Sequence, residues 1–173
     1  MNSDNNNASC GCGHYHQHKH EEGCSCGCEH HRHHGEPPSY EIFEDGKLSE
    51  KAIRFMHLLE SHKFLPCARF IITSSVEPSF FNIALAPVFI SDKEESVSLL
   101  KETGSVLLGL ERHGYISIDY GVLLTNFDYS YFKESAAYKL FEETVSDAKQ
   151  QQGFLGDTAV IEFGSIAPLD ETI

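Results

Sequence analysis

The sequence has no tryptophan, only two methionines and few cations: 13 Lys and Arg stand against 26 Asp and Glu, a formal net charge of −13. Sequence-independent affinity for nucleic acid comes from Lys and Arg neutralising phosphates. The balance therefore excludes a strong, diffuse DNA or RNA binder unless the few cations share one face. No apolar run approaches the roughly eighteen residues of a membrane span. The opening "MNSDNNNAS" has neither the basic nor the apolar region of a secretory signal. A cytoplasmic protein with no membrane partner is the expectation. Phosphate-loop (GxxxxGK[ST]), nucleophile-elbow (GxSxG) and HExxH patterns are also missing, and the later histidines and cysteine form no nucleophile-and-base arrangement. No catalytic residue is assigned, and no enzymatic activity is expected.

From Met1 to Gly35 there is almost no aliphatic side chain, so this stretch cannot bury enough surface to order itself without a ligand. A disordered tail and linker over residues 1–38 and one globular domain over 39–173 are expected. The 138 residues after Gly35 are enough for a real core. "GEPPSY", Gly35 to Tyr40, supplies the linker.

What the tail does hold is metal-ligand chemistry. All but one of the six cysteines and all but three of the eleven histidines lie between Cys10 and Gly35. His14, His16, His18 and His20 alternate, which on an extended chain places their imidazoles on one side. Cys24, Cys26 and Cys28 alternate likewise, Cys10 and Cys12 precede them, and His30, His31, His33 and His34 follow as pairs. In a reducing compartment such cysteines are thiols that bind metal or sense redox state more often than disulfides. Imidazole with thiolate suits Zn, Ni or Cu, thiolate favouring Cu(I) or Zn, and it excludes Mg and Ca as good fits. Within each cluster the cysteine gap is Cys-x-Cys where a structural zinc site uses Cys-x-x-Cys. Many sets of four donors therefore compete, and a multi-ion buffer is expected in place of one defined site. The competing reading is a hydrophilic low-complexity extension whose metal binding is incidental.

In the body, "LSEKAIRFMHLLESHKF" sets Ala52, Ile53, Met56 and Leu59 at helical intervals behind Ser49, which predicts a capped helix from about Ser49 to Lys63. His57 and His62 are five apart, not a ligand spacing on one helix face. Residues 67–90 contain short apolar runs broken by Pro78 and Pro87, and periodicity there does not separate strand from helix. Cys67 is expected as a small core hydrophobe. Phe132, Ala136, Leu140, Phe141, Val145 and Ala148 form a stripe that predicts one long helix over 130–151, closed by Gly153, with "TAVIEFGSIAPL" a later strand. The aromatic run "FDYSYF" is expected to pack in the core and not to stack on bases.

Ser91 and Glu94 match a capping box, so a helix is predicted from Asp92 to Glu102, a turn at Thr103-Gly104, and a second helix through Val106, Leu107, Leu110 and Glu111 to Gly114. "YISID" and "VLLT" about Tyr120-Gly121 then predict a two-stranded hairpin. The order helix, turn, helix, hairpin over Asp92 to Thr125 resembles the winged helix-turn-helix regulators of the general MarR and ArsR kind. This resemblance implies an α+β winged-helix domain with extra strands. It also implies a homodimer through the helix 130–151 and DNA contacts from Thr103, Ser105, Arg112 and His113. One Arg is thin equipment for phosphates, and the wing turn offers Asp119 and Tyr120 where a cation would help.

Two functions follow. One is a transition-metal-responsive transcriptional regulator in which metal on the tail changes affinity for DNA. The other is a metal buffer or delivery protein whose acidic domain binds a protein partner. Lys51, Arg54, Lys93, Lys101 and Arg112 gathered beside the second helix would favour the first.

Overall fold

A computed structural model describes residues 42–169. The fold is α+β: a two-residue hairpin, four helices and a four-stranded sheet are present among the described residues. The hairpin pairs β1 (Phe43–Glu44) with β2 (Lys47–Leu48). It turns on Asp45 and Gly46, both at positive φ (51° and 75°), the geometry that Asp-Gly favours in a two-residue loop. α1 (Glu50–His62) follows as predicted, the Ser49 hydroxyl accepting from the Ala52 amide at 3.3 Å. It buries Ala52, Phe55 and Leu59.

Residues 65–88 resolve the open stretch into two strands, β3 (Leu65–Thr73) and β4 (Phe81–Val88), antiparallel and joined by the Ser74–Phe80 loop. With β5 (Ile116–Tyr120) and β6 (Thr158–Pro168) they make an antiparallel sheet in the order β4-β3-β6-β5. β3 is central and covered on both faces, which is why its sequence lacks strict alternation. On one face Leu65, Cys67 and Ile166 meet α1 and the end of the next helix; on the other Ala68 and Phe70 meet an aromatic layer.

The helix-turn-helix is not formed. One helix, α2 (Val97–Arg112), runs through Thr103 and Gly104 without a break. Its cap is Ser96, whose hydroxyl accepts from the Leu99 amide at 3.2 Å, and the Ser91 hydroxyl is engaged by Glu95. Gly104 costs about 1 kcal/mol relative to Ala in a helix, but here it is a packing residue. A Cβ on it would lie 2.8 Å from the Pro87 carbonyl oxygen. Leu100, Gly104 and Leu107 thus continue one buried stripe. The helix ends in a Schellman motif: the Gly114 amide donates to Glu111 and the Tyr115 amide to Leu110, with Gly114 at φ 77°.

The wing hairpin is also absent. β5 pairs with β6, Ile118 opposite Ile166, and residues 122–125 form no strand. Instead the Tyr129 hydroxyl accepts from the Leu124 amide at 3.0 Å and donates to the Gly164 carbonyl at 2.9 Å, fastening that loop to β6. The long helix over 130–151 is two: α3 (Ser130–Lys133) and α4 (Ala136–Ala148). Ser135 interrupts it, accepting from the Tyr138 amide at 3.1 Å and donating to the Phe132 carbonyl at 2.7 Å, while the Ala136 amide donates to Lys93. Gly153 lies beyond the helix in the turn toward β6. "FDYSYF" does pack inward: Phe132 is fully buried against Phe127, Tyr129 and Phe163. No described helix is long and apolar enough to cross a membrane.

Asp157 ties the β3–β4 loop to the start of β6. It accepts from the Ser75 amide at 2.9 Å, the Ser75 hydroxyl and the Thr158 hydroxyl at 2.7 Å. These bonds favour the carboxylate and lower its pKa to about 2. A depressed folded-state pKa stabilises above the unfolded value of about 4 and is lost as pH falls through about 2. Asp157→Ala is therefore expected to lower Tm at pH 7, and the gap from wild type should narrow steadily in melts taken down to pH 2.5.

Candidate functional site

The thirteen tail donors, Cys10, Cys12, His14, His16, His18, His20, Cys24, Cys26, Cys28, His30, His31, His33 and His34, lie outside the described residues. Among the described residues no group of three or more His, Cys, Asp or Glu is placed to hold a metal ion. Each remaining histidine engages Nδ1 on its own helix. His62 donates Nδ1–H to the Leu58 carbonyl at 3.0 Å, His113 donates to Gly109 at 2.8 Å, and His57 Nδ1 lies 3.3 Å from a Glu60 oxygen. These contacts use Nδ1 and leave Nε2, but neither His57 nor His62 belongs to a described group of three possible ligands.

Cys67 is fully buried among Leu65, Ile116 and Ile166. Burial, with Asp119 and Glu111 adding repulsion, pushes its thiol up to about 12, so it holds its proton at neutral pH and is a poor nucleophile and ligand. Native protein treated with iodoacetamide should leave the Cys67 peptide unmodified by mass spectrometry, whereas protein unfolded in guanidinium should carry the label there.

The four residues that the resemblance implied for DNA do not converge. Ser105 and Arg112 are seven apart and share an exposed face of α2. Thr103 lies about 180° away around the helix at 3.6 residues per turn, against α1. His113 is the C-cap, its ring edge-on to Phe43 at 5.1 Å. Of the five cations whose gathering would favour DNA, three are in ion pairs. Lys51 pairs with Glu102, Arg54 with Glu50 at 3.3 Å and Lys93 with Glu134. Arg112, in the last turn of α2, complements the negative end of the helix dipole.

Two surfaces depart from this plain exterior. Between α1 and α2 a groove of about 320 Å³ is floored by Phe55, Leu58, Leu99 and Val106, with Lys51, Arg54 and Glu102 at its rim. On the sheet, Arg69 and Glu162, opposite each other in the β3–β6 register, form a 2.5 Å ion pair. The Arg69 guanidinium lies 4.5 Å from the Tyr120 ring centroid and 5.8 Å from that of Phe81. Arginine over an aromatic face is attractive, and its partners leave this guanidinium little freedom to take a phosphate. Burial raises the Tyr120 pKa, so that hydroxyl stays neutral.

The sequence pattern gave no sign of the Arg69 cluster, whose members are distant along the chain. Comparison with protein-family models, with curated proteins and with solved structures finds no match for this chain.

Proposed function

We propose that this protein is a transition-metal buffer or delivery protein: the tail from Cys10 to His34 takes up Zn(II), Ni(II) or copper, and the acidic α+β domain serves a protein partner, not DNA. The observation that carries this reading is the division of donors. Thiol and imidazole are concentrated in the tail, while the domain's own cysteine is buried and its described residues place no group of three possible ligands together. The continuity of α2 removes the local pattern on which a DNA-reading helix rested, and Lys51, Arg54, Arg69 and Lys93 lie against carboxylates. Ligands that must shed protons to bind make metal affinity fall on acidification, so a more acidic compartment favours release.

The test is fluorescence anisotropy of the full chain with labelled DNA from upstream of its own coding region, at fixed near-physiological salt, metal-free and with Zn(II), Ni(II) or Cu(I). No binding in any state is expected. Sequence-specific binding that changes with one metal would overturn the protein-partner reading in favour of a metal-responsive regulator.

A further inference from the structure

The described residues start at Ile42, close to the groove between α1 and α2. The Ile42 carbonyl accepts the Ser49 amide at 2.6 Å, and Ser49 caps α1. The β1–β2 register sets Phe43 opposite Leu48 and Glu44 opposite Lys47. Carried back along the same two segments, it directs Glu41 and Tyr40 along the first turn of α1. Lys51, on that turn, begins the α1 wall of the groove. The Tyr40 Cα is tethered within about 7 Å of the Ile42 Cα, so its ring can reach the groove mouth.

Alternation supplies the direction. Successive side chains of an extended segment point to opposite sides. Ile42 is fully buried with Phe55 and Leu59 of α1, whereas Phe43 is 38% exposed. Continued back through the two preceding residues, this alternation assigns Tyr40 to the inner side with Ile42 and Glu41 to the outer side with Phe43.

The groove suits that side chain. Its floor is apolar, Phe55, Leu58, Leu99 and Val106, with Leu99 44% exposed, and the Lys51–Glu102 ion pair stands at the rim. A floor and rim of this kind take an apolar body with a polar tip: a ring on the floor, a hydroxyl at the rim and the Lys51 ammonium beside the ring face. Of Ser39, Tyr40 and Glu41, which the chain itself holds near the mouth, only Tyr40 has such a side chain.

We propose that Tyr40 seats its ring in the α1–α2 groove and so closes it with the chain's own segment. Connectivity selects this occupant, because a short tether holds it at an effective concentration of about millimolar. A protein partner that uses the groove must first displace the ring.

The test is NMR of the full chain with its Leu and Val methyls labelled, with chelator and reductant present so that tail-bound metal or disulfides do not link chains. Nuclear Overhauser contacts are expected from the Tyr40 ring to methyls of Leu58, Leu99 or Val106, and Tyr40→Ala should remove them and shift those methyls while leaving Leu140 in place. Thermal melts give an independent reading: Tyr40→Ala should lower Tm by about 3 °C or more, whereas Tyr15→Ala should not change it. A wild-type Tyr40 ring with no contact to any of these methyls, or a Tyr40→Ala variant that melts with wild type, would overturn the proposal and leave the groove open to another molecule.

Discussion

Replacing Cys10, Cys12, Cys24, Cys26 and Cys28 together by serine is expected to weaken retention of Cu(I) and Zn(II) by more than about a hundredfold. Loss of an outer-shell partner alone approaches that factor, and here the thiolates themselves are removed. The effect should be largest for Cu(I), which prefers sulfur, and smallest for Ni(II), which the eight tail imidazoles still suit. The domain should not notice: these cysteines lie outside residues 42–169, whose core contains only Cys67. Competition titration with a chromogenic chelator measures the first effect and thermal melts of the metal-free protein the second. Equal Cu(I) affinity in the variant and wild type would mean that the thiols are not the ligands. Acid should weaken wild-type binding, because protons compete for thiolate below about pH 8.5 and for imidazole below about 6.5.

The second large effect lies in the sheet. Gly164 sits on β6, between Cys67 on β3 and Tyr120 on β5. A Cβ there would contact the Asp119 carbonyl oxygen, with the Tyr120 Cα at 2.9 Å and the Asp119 carbonyl carbon at 3.0 Å. These are backbone atoms, and β5 is fixed from both sides: the Gly121 amide donates to Phe163 and the Ile118 amide to Glu111. No side-chain rotation relieves the overlap. Gly164→Val should therefore push β5 off the sheet and draw Tyr120 away from Arg69. The cost is roughly 3 kcal/mol or more, or a fall in Tm of about 10 °C for a domain of this size. Thermal melts followed by circular dichroism read the loss, and a variant melting within about two degrees of wild type would show that β5 yields easily.

What the sequence disclosed depended on whether one residue served one purpose. Ser49 is only a cap and Leu59 only a core residue, so α1 was legible to within a residue or two. The run Phe127 to Phe132 lacks neighbouring cations in any number, and its burial in the aromatic layer followed. Gly104 misled because glycine has two uses in a helix. It breaks weak ones, and it lets strongly buried ones approach a neighbouring backbone. Only the position of Pro87, seventeen residues earlier, distinguishes the two. The stretch from Leu65 to Val88 was opaque for the opposite reason: β3 packs on both faces and β4 on neither throughout, so the two-residue period is erased. Ser135 was passed over inside an otherwise continuous stripe, because the Lys93 carbonyl that helps to stop the helix there is remote in sequence.

Of the candidate site, the thirteen Cys and His side chains in one short segment are a matter of composition, and their role as donors is part of the proposal. The implied DNA contacts were not sound, because they assumed a turn that α2 does not make. Sequence could list Thr103, Ser105 and Arg112 but not put them on opposite sides of one helix.

The most direct test of metal handling by the tail is the number of Cu(I) ions that the reduced full-length chain keeps against a chromogenic Cu(I) chelator of known affinity. More than one ion per chain, lost when the tail cysteines are replaced, is the result expected of a multi-ion buffer. No copper retained, or the same amount retained without those cysteines, would contradict it.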